Sequence, residues 1–185
     1  IFHDHLSDEF LRTYTNNNVT FIKCQILQYS LNDKRFYIFK EFIENTGFDK
    51  YILCDVNDVT FGKSPFHFIR KNKFYIGRDV SCIVAENGFI QEKFEKLPGH
   101  IKSKIPYLFS FMPLVNAGVI GGDRQTISFF VNQCCTAFNI IDNELNNNMA
   151  VVNIVFFDNY WRKHSSRFLY KARLLGEMMI NTLRK

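Results

Sequence analysis

Two aspartates three positions apart, Asp55 and Asp58, are the residues of this chain that are best placed to do chemistry. They come directly after the apolar run 51–54, which predicts a short buried strand, and a turn follows them. In open parallel sheets, ligands bind beyond the carboxyl ends of the strands, because neighbouring connections diverge there and leave a crevice. The sequence therefore predicts that both carboxylates lie at such a crevice.

Carboxylates at the edge of a sheet can bind a divalent cation, accept hydrogen bonds from sugar hydroxyls, or act as acid and base. Mg²⁺ commonly takes one or two protein carboxylates and completes its shell with water and substrate phosphates, so Asp55 and Asp58 suffice as metal ligands. Pairing Asp55 with Asn57 is an alternative, although an amide oxygen is a weaker ligand than a carboxylate. A structural interpretation also stands, in which Asp58 caps the following turn and Asp55 is a hydrogen-bonded strand end.

Composition defines a folded protein of ordinary size. The 185 residues are enough for a single domain with a substantial core, and a content of 46% hydrophobic and 16% aromatic residues excludes a disordered chain. The formal charge of +5 is spread along the sequence, and no basic tract interleaved with aromatics is long enough to resemble a nucleic-acid-binding arm. We therefore expect no nucleic-acid partner.

The five cysteines are odd in number and form no CxxC pair, which favours a reducing compartment.

The ends of the chain bear on its localisation. No apolar run approaches the ~20 residues that a membrane span requires, and no signal-peptide pattern precedes the first element. Because the sequence starts at Ile1 within an element, we expect 1–185 to be one domain of a longer chain. The densest positive region, 162–185, is interpreted as a solvated helix face, with peripheral attraction to a membrane surface as the alternative. A cytoplasmic or membrane-associated protein fits these features.

Hydrophobic periodicity divides the chain into alternating strands and helices, which is typical of an α/β protein. We expect a strand at 19–26, a helix at 32–45 and a strand at 50–54, which together form a right-handed βαβ unit. The region 79–106 has mixed signals. The other predicted elements are strands at 1–4 and 73–76, helices at 7–14 and 65–72, a long helix that Asp123 caps and that runs to about Leu145, and a helix at 149–157 capped by asparagines 146–148.

Three sequence blocks follow one another in an informative order. The acidic stretch 51–61, with Pro65 and Phe66 behind it, is similar to a DxD-type element in its D-V-x-D-V-x-F form. The run 116–122, Asn-Ala-Gly-Val-Ile-Gly-Gly, is similar to an N-[AS]-G-hydrophobic strand, and 148–153 to a D-[MQ]-x-x-x-N helix start. Together these blocks resemble the nucleotide-sugar-dependent glycosyltransferases of the GT-A fold, of the glycogenin and galactosyltransferase-like kind.

The resemblance implies a Rossmann-like, mixed and mostly parallel sheet flanked by helices. It implies an enzyme that moves a sugar from a nucleoside diphosphate sugar, UDP being the favoured nucleotide, to a carbohydrate or another hydroxyl acceptor. Mn²⁺ or Mg²⁺ would be held by Asp55 and Asp58, the expected catalytic residues, with Asn57 between them. Such an ion stabilises the charge that develops on the departing β-phosphate.

The resemblance also assigns residues outside the acidic stretch. Arg35 would neutralise phosphate charge near the donor. The sugar and acceptor side would be lined by Asn116, Gly121 and Gly122.

Three departures from the family pattern accompany these assignments. The first strand of the fold, which begins the uridine-binding half, should precede Ile1. Asn148 stands where an acid is frequent. The histidine that often completes the metal site has no match in context, since His164 is interpreted as a surface residue.

Two other classes of protein remain open. One is a degenerate transferase that binds a nucleotide or sugar without catalysis. The other is a metal-dependent phosphoryl-transfer enzyme built on Asp55 and Asp58. The second is disfavoured because Asn57 occupies the position where a nucleophilic aspartate normally has an acid two residues on, and no GxxxxGK[ST] loop is present.

Overall fold

A computed structural model describes residues 1–25, 30–56, 59–103, 105, 107–141 and 145–161. Of the predicted site residues, Asn57 and Asp58 lie outside these ranges, as do His164 and the basic C-terminal region. The described strands are β1 (Phe2–His3), β2 (Ile22–Lys23), β3 (Lys50–Cys54), β4 (Phe74–Ile83) and β5 (Pro113–Asp123). The described α-helices are α1 (Asp8–Tyr14), α2 (Leu31–Asn45), α3 (Gly88–Glu95), α4 (Gly99–Lys102), α5 (Arg124–Ile141) and α6 (Asn148–Phe156).

The architecture is mixed α/β, as the sequence predicts, with small sheets. Strands β1 and β2 pair in parallel, while β3, β5 and β4 form a second sheet in that order, with β3 antiparallel to β5. The predicted βαβ unit is therefore wrong for the described residues, because β2 and β3 belong to different sheets. The strand predicted at 19–26 is reduced to Ile22–Lys23 among the described residues, and its ladder partner there is β1.

The residues form two compact units. Unit 1 comprises 1–77 and 116–148, and unit 2 comprises 78–115 and 149–185. The expectation of a single domain over the whole chain stays a prediction.

Helix α5 provides the central apolar face of unit 1. Its buried residues recur every three or four positions, as expected for a helix with one side in a core. The ring of Phe138 packs on Phe36 of α2 at a centroid distance of 5.5 Å. Cys134 and Cys135 lie on the same face, and desolvation by burial raises the pKa of the Cys135 thiol to about 11 and that of the Cys134 thiol well above its ordinary value. Both thiols therefore act as small apolar side chains.

The core of unit 2 is built around aromatic rings. Phe109 lies between Phe94 of α3 and Phe157, with edge-on contacts at centroid distances of 5.0 and 5.4 Å. Asn153 of α6 is fully buried among apolar residues. Its amide accepts from the N–H of Val115 and donates to the carbonyl of Val115, both at 3.0 Å. One side chain thereby satisfies two backbone groups of β5.

Several predicted elements are confirmed within a residue or two. These are β1, α1, α2, β3, the start of α5 and α6. The predicted helix at 65–72 is reduced to the 3₁₀ turn Pro65–His67, because side chains take the backbone groups that a helix would use. The Tyr75 hydroxyl donates to the Phe68 carbonyl at 2.8 Å and accepts from the Arg70 N–H at 3.2 Å. Strand β4 begins where predicted and is longer, reaching into the region of mixed signals.

Asp123 caps helix α5 and also accepts a hydrogen bond from the loop that precedes β4. Its carboxylate accepts from the Thr126 N–H at 2.8 Å and from the N–H of Asn72, a residue in the left-handed region with φ of 59°. Burial acts to raise the pKa of Asp123, but the hydrogen bonds from Thr126 and Asn72 outweigh it, so the pKa lies below its ordinary value.

We expect Asp123→Ala to lower the free energy of unfolding by about 1 kcal/mol, the usual cost of losing an N-cap. Because the pKa of Asp123 is lower in the folded state, the stabilisation is present above the unfolded pKa and is lost as the pH falls through the folded pKa. Urea denaturation at neutral and acidic pH measures both effects, with the exposed Asp8→Ala as a control. Equal losses for Asp123→Ala at both pH values would contradict the linkage.

Candidate functional site

The ladder between β3 and β5 determines what faces Asp55. The strands pair from Lys50 with Asp123 to Cys54 with Val119, and the Asp55 N–H continues the ladder by donating to the Gly118 carbonyl at 3.0 Å. Residues directly opposite each other in an antiparallel pair share a face of the sheet. Asp55, the first residue after β3, therefore lies directly opposite Gly118, which is in the middle of β5.

The carboxylate of Asp55 forms an ion pair with Arg35. The Arg35 Nη1 donates to Asp55 Oδ1, and Nη2 donates to the Ala117 carbonyl at 3.4 Å. The Arg35 side chain is 17% exposed and that of Asp55 is 38% exposed, so the pair is partly shielded from water. The Arg35 Nε is buried, and no partner for it is found among the described residues. Helix α2, which carries Arg35, is held at its start by Ser30, whose hydroxyl accepts from the Asp33 N–H.

Gly118 lies in a narrow cradle between two side-chain oxygens. A Cβ added at Gly118 would lie 3.0 Å from Asp55 Oδ2 and 3.0 Å from Asn116 Oδ1. The Asn116 Oδ1 is itself oriented by the Gly118 N–H, which donates to it at 2.7 Å. The structure thus brings Asp55, Arg35 and Asn116 together around a glycine that any larger residue would crowd.

This cradle fits a hard divalent cation in its chemistry. Carboxylate and amide oxygens are ligands that Mg²⁺ and Mn²⁺ accept. Arg35 donates to Oδ1 of Asp55, so Oδ2 of the same carboxylate faces the cradle. Within the described residues no three His, Cys, Asp or Glu side chains lie close enough to form a metal centre. Of the described residues, Asp55 and Asn116 are therefore the ones whose side-chain oxygens could hold a cation at the cradle. Asp58 lies outside the described residues, and its role as a ligand stays a prediction.

The structure does not bring Gly121 and Gly122 to the cradle. Gly121 pairs with Ile52 and so lies on the opposite face of the sheet from Asp55. Gly122 shares the face of Asp55 but is four residues along β5 from Gly118, about 13 Å at the rise of a strand. A Cβ there would meet the Lys73 carbonyl at 3.0 Å. Gly122 is buried against Lys73 and Ile127, whereas Gly121 lies in the wall of an apolar pocket on the other face. The role of both glycines on the sugar and acceptor side stays a prediction.

Asp33 is a buried acid that the sequence analysis missed. It is 1% exposed, and its two carboxylate oxygens accept from the Asn147 N–H at 3.0 and 3.1 Å. Desolvation raises the pKa of Asp33, although the backbone N–H groups of Asn147 and Asn148 and the Ser30 hydroxyl oppose that shift. Asn148 itself is 7% exposed. The spacing Ser30-x-x-Asp33 matches a helix-capping pattern, which signals the local turn but not the distant partner.

Comparisons with protein-family models, with curated proteins and with solved structures found no match. Among the described helices, none is long and apolar enough to cross a bilayer.

The pair of Arg35 and Asp55 should be energetically coupled. In a double-mutant cycle with Arg35→Met and Asp55→Asn, we expect a coupling free energy of about 1 kcal/mol, because the guanidinium is mostly buried. The exposed pair Lys40 and Glu44 on α2, with 4.0 Å between its charged atoms, is the matched control and should couple by only ~0.3 kcal/mol. Chemical denaturation of the four variants in each cycle supplies the values. Equal coupling in both cycles would mean that burial does not strengthen the Arg35 pair.

Proposed function

We propose that this protein is a metal-dependent glycosyltransferase that uses a nucleoside diphosphate sugar, with a UDP-sugar as the preferred donor. The observation that carries the proposal is the convergence of Asp55, Arg35 and Asn116 at Gly118. A guanidinium beside two side-chain oxygens suits a ligand that presents both phosphate and a phosphate-bound cation. The resemblance of the acidic stretch and of 116–122 to GT-A elements supports the same reaction class.

The proposed transfer exchanges one bond at the sugar for another. The bond from the anomeric carbon to the β-phosphate oxygen breaks, and its electron pair leaves with the nucleoside diphosphate. A bond from that carbon to the acceptor oxygen forms, and the proton of the acceptor hydroxyl passes to the departing diphosphate or to water. Arg35 contributes a positive charge fixed by two hydrogen-bond acceptors, so it can stabilise phosphate negative charge without reorganising. Asp55 is oriented by the same contact and presents Oδ2 to the cradle.

Mn²⁺ or Mg²⁺, when bound, would act as a Lewis acid toward the leaving diphosphate. Asp55 and Asp58 are the proposed carboxylate ligands, and Asn116 Oδ1 is a further oxygen on the same side as Asp55 Oδ2. The acceptor is a carbohydrate or another molecule with a reactive hydroxyl.

A second candidate is a binding module that recognises a nucleotide or a sugar without turnover. The specific observation in its favour is the ion pair itself, because Arg35 already occupies one oxygen of Asp55. A carboxylate used in this way can serve to position a cationic side chain for phosphate binding without holding a metal.

Thermal denaturation with nucleotides and metal tests the proposal. At a ligand concentration 100 times Kd, UDP with Mn²⁺ should stabilise the protein by about 2.7 kcal/mol. For a chain of this size that is a rise in Tm of roughly 5–10 °C. GDP and CDP with Mn²⁺, and UDP with EDTA, are the comparison arms, and release of UDP from UDP-sugars measures turnover.

Matched variants connect the binding signal to the site. Asp55→Ala and Asp58→Ala should each abolish the metal-dependent part of the shift, while the exposed Asp49→Ala, just before the same strand, should retain it. Stabilisation by UDP and Mn²⁺ without sugar release would favour the binding module. Full stabilisation and full turnover in both Asp55→Ala and Asp58→Ala would refute the assignment.

Substitution of Gly118 tests the cradle without removing any polar group. The added methyl of Gly118→Ala would contact two oxygens at 3.0 Å, closer than ordinary van der Waals contact, and should displace the Asp55 carboxylate. We expect at least a tenfold weaker affinity for UDP with Mn²⁺ by calorimetry. Gly77→Ala is the control, since its Cβ would meet neighbours at 3.5 Å or beyond. Similar affinities for the two variants would argue against a ligand in the cradle.

A further inference from the structure

We propose that the loop between β3 and β4, residues 61–73, docks the protein on an anionic phospholipid bilayer. This segment, called the basic aromatic loop below, lies wholly in unit 1. The proposal stands apart from the proposed function, because it uses neither the cradle nor any residue that lines it.

The basic aromatic loop and its flanks carry only positive charges. The sequence from 59 to 77 contains four Lys or Arg residues and no Asp or Glu. The four basic residues are exposed, and none of them forms an ion pair with a carboxylate in the described part of the chain. An anionic leaflet attracts each basic residue near its surface. The residues are Lys63, Arg70, Lys71 and Lys73.

The basic aromatic loop also exposes large aromatic side chains. Phe61, Phe66 and Phe68 are 45%, 46% and 66% exposed and lie within eight positions of one another. Single exposed hydrophobic residues are common, but a group of large rings among exposed positive charges marks an interaction site. Aromatic rings with basic residues around them are the combination that partitions into the headgroup region of a bilayer.

An apolar pocket behind the rings decides between partners. Its volume is about 270 Å³, and its walls include Phe61, Pro65, Phe68, Ile69 and Ile76. The polar side chain in the wall is that of Tyr75. Its hydroxyl already donates a hydrogen bond to the Phe68 carbonyl and accepts one from the Arg70 N–H. A nucleic-acid base or a sugar would lose hydrogen bonds to water there without replacing them, whereas an acyl chain has none to lose. The lining therefore favours lipid.

Fixed contacts hold the loop in this form. The Lys50 Nζ donates to the Phe66 carbonyl at 3.0 Å, and the Asn72 N–H donates to Asp123. The rings are thus presented without a large entropy cost on binding. Basic residues and inserted apolar groups act as two signals, and stable membrane attachment generally requires two.

Vesicle co-sedimentation of the 185-residue chain tests the proposal. We expect binding to vesicles of phosphatidylcholine with 30% phosphatidylserine, weaker binding at higher salt, and little binding to phosphatidylcholine alone. Lys63→Glu and Lys71→Glu should each weaken binding by about fivefold or more, as expected for a charge near the surface. Phe68→Ala and the double variant with Phe66→Ala should weaken binding even in low salt.

Controls at other exposed positions distinguish binding through the basic aromatic loop from non-specific adsorption of the protein to vesicles. Lys23→Glu on β2 and Phe48→Ala, whose ring is 59% exposed, should leave vesicle binding unchanged. Thermal melts of each variant check folding. Lys63→Glu should melt normally because its side chain is exposed, whereas Lys71→Glu also removes a positive charge that acts on Asp123, so its vesicle binding is measured well below its own melting temperature. Equal binding to both kinds of vesicle, no binding at low salt, or preferential binding of poly(U) over anionic vesicles would each overturn the proposal.

Discussion

The register between β3 and β5 is the constraint on which the candidate site depends. Side chains alternate between the two faces of a sheet, so the pairing of Cys54 with Val119 places Asp55 over Gly118 on the face that also carries helix α2. A slip of one residue would turn the carboxylate to the other face and separate it from Arg35. The apolar partners along the ladder, which include buried Leu53 and Ile120, oppose such a slip because it would expose them.

Arg35 fixes the orientation of the Asp55 carboxylate near the end of β3. A guanidinium presents a planar set of donors, and here it contacts both Asp55 and the Ala117 carbonyl, so the acid and β5 are oriented by one side chain. Its buried Nε has no partner among the described residues, which is a cost that the packing around α2 must offset.

Local chemistry made part of this structure predictable. The spacing of phenylalanines gave α2, and the run 50–54 gave β3 with its acid at the end, since both depend on near neighbours in sequence. The antiparallel pairing of β3 and β5, the separate β1–β2 sheet and the reach of Asp33 to Asn147 depend on contacts between residues far apart, which no local pattern encodes. The glycine at 118 could be read as part of a motif, but its closeness to Asp55 emerged only in three dimensions.

The adjacent cysteines of α5 give the core an internal reporter. Cys134 is fully buried and Cys135 nearly so. Burial raises the pKa of both thiols, that of Cys135 to about 11, so they hold almost no thiolate at neutral pH. Alkylating reagents can then reach these sulfurs only when the helix separates from its neighbours. The rate of their labelling consequently measures how often unit 1 opens, and a molecule that binds the folded form elsewhere on that unit will slow the reaction in proportion to its occupancy.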